Sequence, residues 1–324
     1  MLNTKVLKDP QANELFLKKG YVKYGKVDDA VVKELLSLNK KLDIPDFFNC
    51  GFNVGMNSDV KKLREAMQRE IKEIVTPFTD RMLEDYRPYT ASYLNKLPRE
   101  DCFVIAHQDF TYTDEELYPS FMCFIPLVDT SLENAALGFV PGSHLFFDYI
   151  RAFPFPGVPT PVTENCTELM LYFDIIPMKA GEMIFFSHNT IHGSFSNYGN
   201  KARPAVGMSF IKEGTDPYLF VHNPQTQSRT ILKYKADVNS LVNFNNPYMK
   251  SMFESGKIDL PYELLDEFEY KGVDTSWEFM ESKLKEKGLS PNPAYNQLVH
   301  DYRKIQVEKT KPKRSLFQRI KETF

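Results

Sequence analysis

Between residues 89 and 210 the chain breaks into short apolar or alternating runs, and this punctuation constrains its fold more than any other feature. The runs cover residues 90–94, 103–106, 121–128, 169–176, 183–186 and 205–211. Turn-forming residues separate them, which predicts a mainly β core. Residues 151–163 contain Pro154, Pro156, Pro159 and Pro161, so no central strand can run through them. They are expected to form a long loop at the mouth of a site, because long loops in compact domains commonly act as lids or binding segments.

The flanks read differently. Residues 14–19 predict a short helix, stopped by Gly20 and followed by a strand over 20–24. Val31, Val32, Leu35, Leu36 and Leu38 recur at helical spacing behind Asp28 and Asp29, which are candidate caps. Val60, Leu63, Met67, Ile71, Ile74 and Val75 predict a second helix, ending before Pro77. After Gly214 the alternation fades. Residues 261–270 and 275–288 read as helices, with Leu264, Leu265, Phe268, Trp277, Phe279, Met280 and Leu284 as buried positions. The chain is therefore expected to be a single domain: helical support over 1–88, a β core over 89–212 and a mostly helical extension over 213–324. The basic tail from 303 to 324, interrupted by Pro312, reads as a solvated terminal helix, with a membrane-surface or partner helix as the alternative.

Composition removes several function classes. A net charge of −3 gives no reason to expect a nucleic-acid partner. The four cysteines, Cys50, Cys102, Cys123 and Cys166, form no Cys-x-x-Cys pair, so neither a disulfide framework nor a structural zinc site is expected. No apolar run approaches the ~20 residues of a membrane helix, and no signal-peptide profile opens the chain; a cytoplasmic location is the expectation.

The chemistry concentrates in His107-Gln108-Asp109. Residues two apart on a strand point to the same face, so His107 and Asp109 can reach one point. A histidine from another strand would complete two imidazoles and a carboxylate on one side of a metal, the facial set of non-haem Fe(II) oxygenases. The apolar run 183–186 leads directly into His188 and His192-Gly193-Ser194, and both histidines compete for that place. Arg203, eleven residues past His192, carries a guanidinium fork suited to gripping a carboxylate.

Taken together, residues 93–210 resemble the phytanoyl-CoA dioxygenase family of Fe(II)- and 2-oxoglutarate-dependent oxygenases. The matching pieces are His107-Gln108-Asp109, Pro126-Leu127-Val128-Asp129, Glu133-Asn134 and Val140-Pro141-Gly142-Ser143-His144, then Gly181-Glu182, His192-Gly193-Ser194, Asn197 and Arg203. Ala135 departs from the pattern, since the family commonly has glycine there. The resemblance implies a double-stranded β-helix (jelly-roll, cupin-like) barrel. It also implies Fe(II) on His107, Asp109 and His192, 2-oxoglutarate as cosubstrate against Arg203 with Ser194 as a second contact, and O2 as oxidant.

His188 then lines the site or packs beside it, and His144 belongs to a structural turn. Tyr93 and Asn95 are candidates to face the cosubstrate or substrate, with Gln108 and Phe124 as further pocket candidates; core roles fit all four equally well. Phe146, Phe147, Tyr149, Phe153 and Phe155 can form an apolar lid or pack in the core. The implied reaction couples decarboxylation of 2-oxoglutarate, releasing succinate and carbon dioxide, to hydroxylation of an unactivated carbon of a small molecule. An amino-acid-like compound or a natural-product intermediate is favoured. Asp109 favours hydroxylation over halogenation, because related halogenases carry a small residue at that place. Desaturation, epimerisation or cyclisation at the same site is the alternative outcome, and a non-catalytic jelly-roll binding protein is the alternative of another class. Substrate identity and oligomeric state are not legible.

Overall fold

The structure is a computed structural model and describes residues 5–46, 49–155, 158 and 160–310. Its first helices are α1 (Pro10–Lys19), α2 (Asp29–Leu42) and α3 (Lys61–Thr79), followed by a single turn α4 (Cys166–Leu169). Towards the C-terminus come α5 (Ser240–Asn243), α6 (Asn246–Glu254), α7 (Trp277–Glu286) and α8 (Asn296–Thr310). The strands are β1 (Tyr21–Lys26), β2 (Phe52–Val54), β3 (Tyr86–Lys96), β4 (Val104–His107), β5 (Phe121–Pro126), β6 (Gly138–Phe139) and β7 (Asp174–Ile175). They continue as β8 (Glu182–Ser187), β9 (His192–Ser194), β10 (Ala205–Lys212), β11 (Tyr218–His222), β12 (Thr230–Lys235) and β13 (Leu264–Glu269).

Two antiparallel sheets of a jelly roll hold the centre. One has six strands in the order β1-β8-β5-β10-β3-β2, the other four in the order β4-β9-β6-β7. They do not close into a barrel, because no pairing joins one sheet to the other among the described residues. Helices α2 and α3 cover the outer face of the larger sheet, and Leu35, Met67, Ile71 and Val75 are buried against it. Gly20 ends α1 at φ 84°, a left-handed turn that glycine adopts freely, and a Cβ there would meet Thr190 Oγ1 at 2.4 Å.

Several expectations need correction. Helix α3 runs through Pro77 to Thr79, so the proline gives up a backbone hydrogen bond inside the last turn without ending the helix. Residues 169–176 are not one strand: helical turns cover 166–172, and only Asp174–Ile175 pairs in a sheet. Residues 261–270 do not form a helix. Strand β13 lies there and pairs with β12 in a third sheet, β11-β12-β13, leaving Leu264 and Leu265 exposed and Phe268 half-buried. The C-terminal extension is thus part sheet. Helix α7 does form, with Met280 and Leu284 buried. Of the basic tail, Lys309 pairs with Asp101 at 2.7 Å, and Lys311, Pro312, Lys313, Arg314, Arg319 and Lys321 lie outside the described residues, as do Pro156 and Pro159. No helix among the described residues is long and apolar enough to cross a membrane.

Candidate metal centre

A cavity of about 620 Å³ opens between the two sheets. Thr90, Ser92 and Leu94 of β3, Met122 and Phe124 of β5 and Phe186 of β8 line one wall, while β4 and β9 supply His107 and His192 opposite. Strands β4 and β9 pair antiparallel with His107 opposite His192, and this register brings the two imidazoles together, ring centroids 4.3 Å apart. Asp109 follows β4 directly; its backbone N–H donates to the His188 carbonyl at 2.9 Å. One ligand atom from each of His107, Asp109 and His192 lies within 4.8 Å of the other two. Asp109 Oδ1 is 3.7 Å from His107 Nε2, and Oδ2 is 3.7 Å from His192 Nε2.

The hydrogen bonds decide which nitrogens are available. His107 Nδ1 lies 2.9 Å from the Ile105 carbonyl and His192 Nδ1 lies 2.9 Å from the Thr190 carbonyl. A carbonyl oxygen can only accept, so each Nδ1 carries a proton and each Nε2 is the nitrogen turned towards Asp109. Burial, and then the neighbouring His107, pull the His192 pKa down to about 4, so this imidazole is neutral near pH 7. Burial opposes charge on Asp109, but His192, His188 and His107 outweigh it and hold the carboxyl below its ordinary range. Two imidazoles and one carboxylate with converging donor atoms are a set suited to a divalent iron.

Arg203 sits at the same cavity, 1% exposed, with its guanidinium 5.3 Å from the centre of the Phe124 ring. Its Nε and Nη1 are buried without a hydrogen-bond partner, and no carboxylate perturbs it among the described residues. Burial lowers its pKa to about 10, which still leaves it charged at neutral pH. An uncompensated buried guanidinium is costly unless an anion arrives. Ser194 lines the cavity too, and its Oγ accepts from Lys96 Nζ at 2.6 Å.

Lys96 is a residue the sequence reading missed. It is fully buried, donates also to the carbonyls of Ser194 and Phe195, and is joined by paired backbone hydrogen bonds to Arg203. Burial, with Arg203 nearby, pushes its pKa well below the ordinary lysine value. Because Lys96 uses the Ser194 lone pairs, the Ser194 hydroxyl proton is free to donate towards the cavity.

Of the remaining candidates, Gln108 and Phe124 line the cavity, with Gln108 held by Asn189 and Tyr149. Tyr93 and Asn95 do not reach it. They face outward, where the Tyr93 hydroxyl donates to the Leu35 carbonyl at 2.8 Å and Asn95 pairs with Asn39. Side chains alternate along a strand, so with Ser92 and Leu94 inside, residues 93 and 95 must lie outside.

His188 is enclosed between Ser120 and Ser209 and does not join the cluster. His144 bonds to the Leu17 carbonyl through Nε2 and supports the turn at Gly142. The proline-rich loop contributes Arg151, Pro154, Phe155 and Thr163 to the cavity wall. Tyr149 and Phe155 of the aromatic group line it, whereas Phe146, Phe147 and Phe153 pack in the cores. Ala135 stands at φ 67°, a left-handed conformation that glycine would adopt without strain.

Residues 56–205 match the phytanoyl-CoA dioxygenase (PhyH) family. A phytanoyl-CoA dioxygenase from Arabidopsis thaliana is 34% identical over 129 residues, covering 37% of this chain and 42% of that protein. An ectoine dioxygenase from Bordetella parapertussis is 30% identical over 139 residues, covering 37% of this chain and 45% of that protein. The chain thus spans less than half the length of these curated relatives. Among solved structures, a non-heme alpha-ketoglutarate-dependent carbocyclase from nogalamycin biosynthesis, SnoK, shares the fold. Its TM-score is 0.50 at 18% identity, over 65% of this chain and 86% of that one. The metal-suited cluster, the arginine and the jelly-roll frame thus sit on a chain whose residues 56–205 match the phytanoyl-CoA dioxygenase family.

Proposed function

We propose that this chain is an Fe(II)/2-oxoglutarate-dependent oxygenase that hydroxylates an unactivated carbon of a small molecule. One observation carries the reading: the three metal-suited side chains and an unpaired, buried guanidinium share a single cavity. His107, Asp109 and His192 would hold the iron, and the facial arrangement leaves coordination positions open. Bound there, iron would supply the oxidising chemistry with O2 as oxidant and 2-oxoglutarate as the co-reductant that leaves as succinate and carbon dioxide, chemistry the protein itself cannot provide.

The chain's own residues orient and exclude. The carbonyls of Ile105 and Thr190 hold the two Nδ1–H groups, which orients the rings and leaves Nε2 of each as the ligating nitrogen. Arg203 offers the charge complement for the distal carboxylate of a dicarboxylic acid, and the Ser194 hydroxyl, oriented by Lys96, offers a second donor. Phe124, Phe186 and Leu94 surround the reacting region with apolar surface and keep bulk water away.

Substrate-dependent succinate formation tests the proposal. His107→Ala and Asp109→Ala should each abolish it in folded protein, and unchanged turnover in both variants would reject it. A product heavier by one oxygen supports hydroxylation; a product lighter by two hydrogens would replace that outcome with desaturation.

A further inference from the structure

The described residues contain seven buried side-chain polar atoms with no hydrogen-bond partner, and four of them belong to residues lining this one cavity. Two are the Arg203 nitrogens already assigned. The other two are Arg151 Nη1 and His222 Nδ1, and neither has a role in metal or cosubstrate binding as proposed.

Their settings are complementary. Arg151 is held rigidly: Nε donates to the Asp109 carbonyl at 2.7 Å, and Nη2 donates to Glu115 Oε1 at 2.6 Å. Glu115 is itself fixed by the Ser120 hydroxyl. The guanidinium charge is thereby neutralised, and Nη1 keeps its hydrogens for a further acceptor. His222 ends β11, in the small C-terminal sheet outside the jelly roll. Burial lowers the His222 pKa against the opposing Ser228 backbone, and Nδ1 is buried without a hydrogen-bond partner, so the neutral ring can offer this nitrogen to a ligand's donor.

The two groups belong to one wall. The Phe153 N–H donates to the Phe220 carbonyl at 2.7 Å, stitching the loop of Arg151 to the strand of His222. Tyr149 feels the charge of Arg151 and the hydroxyl of Tyr270, and the Tyr270 ring stands edge-on to His222 at 5.0 Å. The rest of the cavity is mostly apolar, with Met56, Leu94, Met122, Phe155 and Leu241 among its lining, and about 620 Å³ accommodates far more than a dicarboxylic acid.

We infer that Arg151 and His222 form a recognition subsite for the primary substrate, an apolar molecule that presents an accepting oxygen beside a donor, as a carboxamide or a hydroxycarbonyl group does. The oxygen accepts from Arg151 and the donor bonds to His222 Nδ1. The subsite rests on the oxygenase reading above, with the substrate's apolar body lying across the cavity towards the metal cluster.

Calorimetric titration of the zinc(II)-loaded protein with saturating 2-oxoglutarate tests it, because zinc is redox-inert and the cosubstrate then occupies Arg203. The probes are decanamide and N,N-dimethyldecanamide, which share chain and carbonyl but differ in the N–H donor. Wild type should favour decanamide by about fivefold, the effect of one neutral hydrogen bond in a buried setting. His222→Phe should erase that preference and leave 2-oxoglutarate affinity unchanged. Arg151→Lys, which retains the Glu115 ion pair, should weaken both amides by about tenfold. A preference that persists in His222→Phe comes from the bulk of the methyl groups and overturns the subsite, as does failure of decanamide to bind wild type. If 2-oxoglutarate does not bind the zinc-loaded wild type, the oxygenase reading fails instead, and the amide titration on zinc-free protein still reads the subsite. Should Arg151→Lys not fold, the His222→Phe arm alone decides.

Discussion

Gly193 lies between a proposed iron ligand and the proposed cosubstrate contact, and its missing side chain is a structural requirement. A Cβ built there meets the Val104 carbonyl oxygen at 2.4 Å and the Ile105 carbonyl oxygen at 3.1 Å. Both are backbone atoms of β4, the strand that delivers His107. Ordinary contact begins at 3.4 Å, so Gly193→Ala must separate β4 and β9 by roughly 1 Å at this point. That displacement acts on both histidines, because the Ile105 carbonyl also orients His107. Metal sites tolerate about 0.5 Å of error in ligand placement. A displacement of twice that should weaken Co(II) or Fe(II) binding by about 100-fold, with the overall fold retained. The assay is anaerobic metal titration followed by absorption, with circular dichroism as the folding check. Gly272→Ala, where nothing lies within 4 Å of the added Cβ, is the matched control and should bind normally. Metal affinity in Gly193→Ala within about threefold of wild type would show that β4 and β9 accept a methyl group there without moving the histidines.

Three further outcomes follow from the same geometry. Arg203→Met removes a buried cation whose Nε and Nη1 have no hydrogen-bond partner, so it should raise the 2-oxoglutarate dissociation constant by about 100-fold while leaving thermal stability without cosubstrate equal or higher; a large loss of that stability would show that the contact with the Phe124 ring outweighs the cost of burying the charge. Tyr93→Phe should cost about 1–2 kcal/mol in urea denaturation, the loss of a buried bond to the Leu35 carbonyl, and leave 2-oxoglutarate binding unchanged; an altered cosubstrate affinity would return Tyr93 to the cavity. Burial holds His144 and His188 near a pKa of about 4 against the ordinary 6.5, so the unfolded chain binds more protons between those values. Metal-free protein should therefore keep this contribution above pH 6.5 and lose it as pH falls towards 4, and His188→Gln should shallow the decline measured by denaturation at successive pH values; an identical slope would remove His188 from the account.

The spacing of His107 and Asp109 pointed to one cluster and both side chains do reach it, although β4 ends at His107 and Asp109 lies in the segment just beyond. The face of β3 was not legible. Tyr89 through Tyr93 are all buried, on the cavity side and on the helix side alike, so the hydrophobic alternation that reveals parity is absent. Sequence alone therefore leaves Tyr93 and Asn95 open to a cavity or a core role, and the structure turns both towards α2. Lys96 was passed over because a lysine at a strand end ordinarily reaches water; its partners, Ser194 and Phe195, are about a hundred residues away in sequence. Residues 264–268 satisfy a helical spacing equally well, and only pairing with β12 makes them a strand. The expectation for 151–163 rested on proline chemistry, a local property, and that loop does line the cavity.

On the proposed reading, His107, Asp109 and His192 hold a ferrous ion beside Arg203 in one shared cavity. Anaerobic titration of metal-free protein with Fe(II) and then 2-oxoglutarate, followed in the visible spectrum, reads this most directly. A weak charge-transfer band saturating at one iron and one 2-oxoglutarate per chain, and lost in Asp109→Ala, is the predicted result. No band in correctly folded wild type, or an undiminished band in Asp109→Ala, would contradict it.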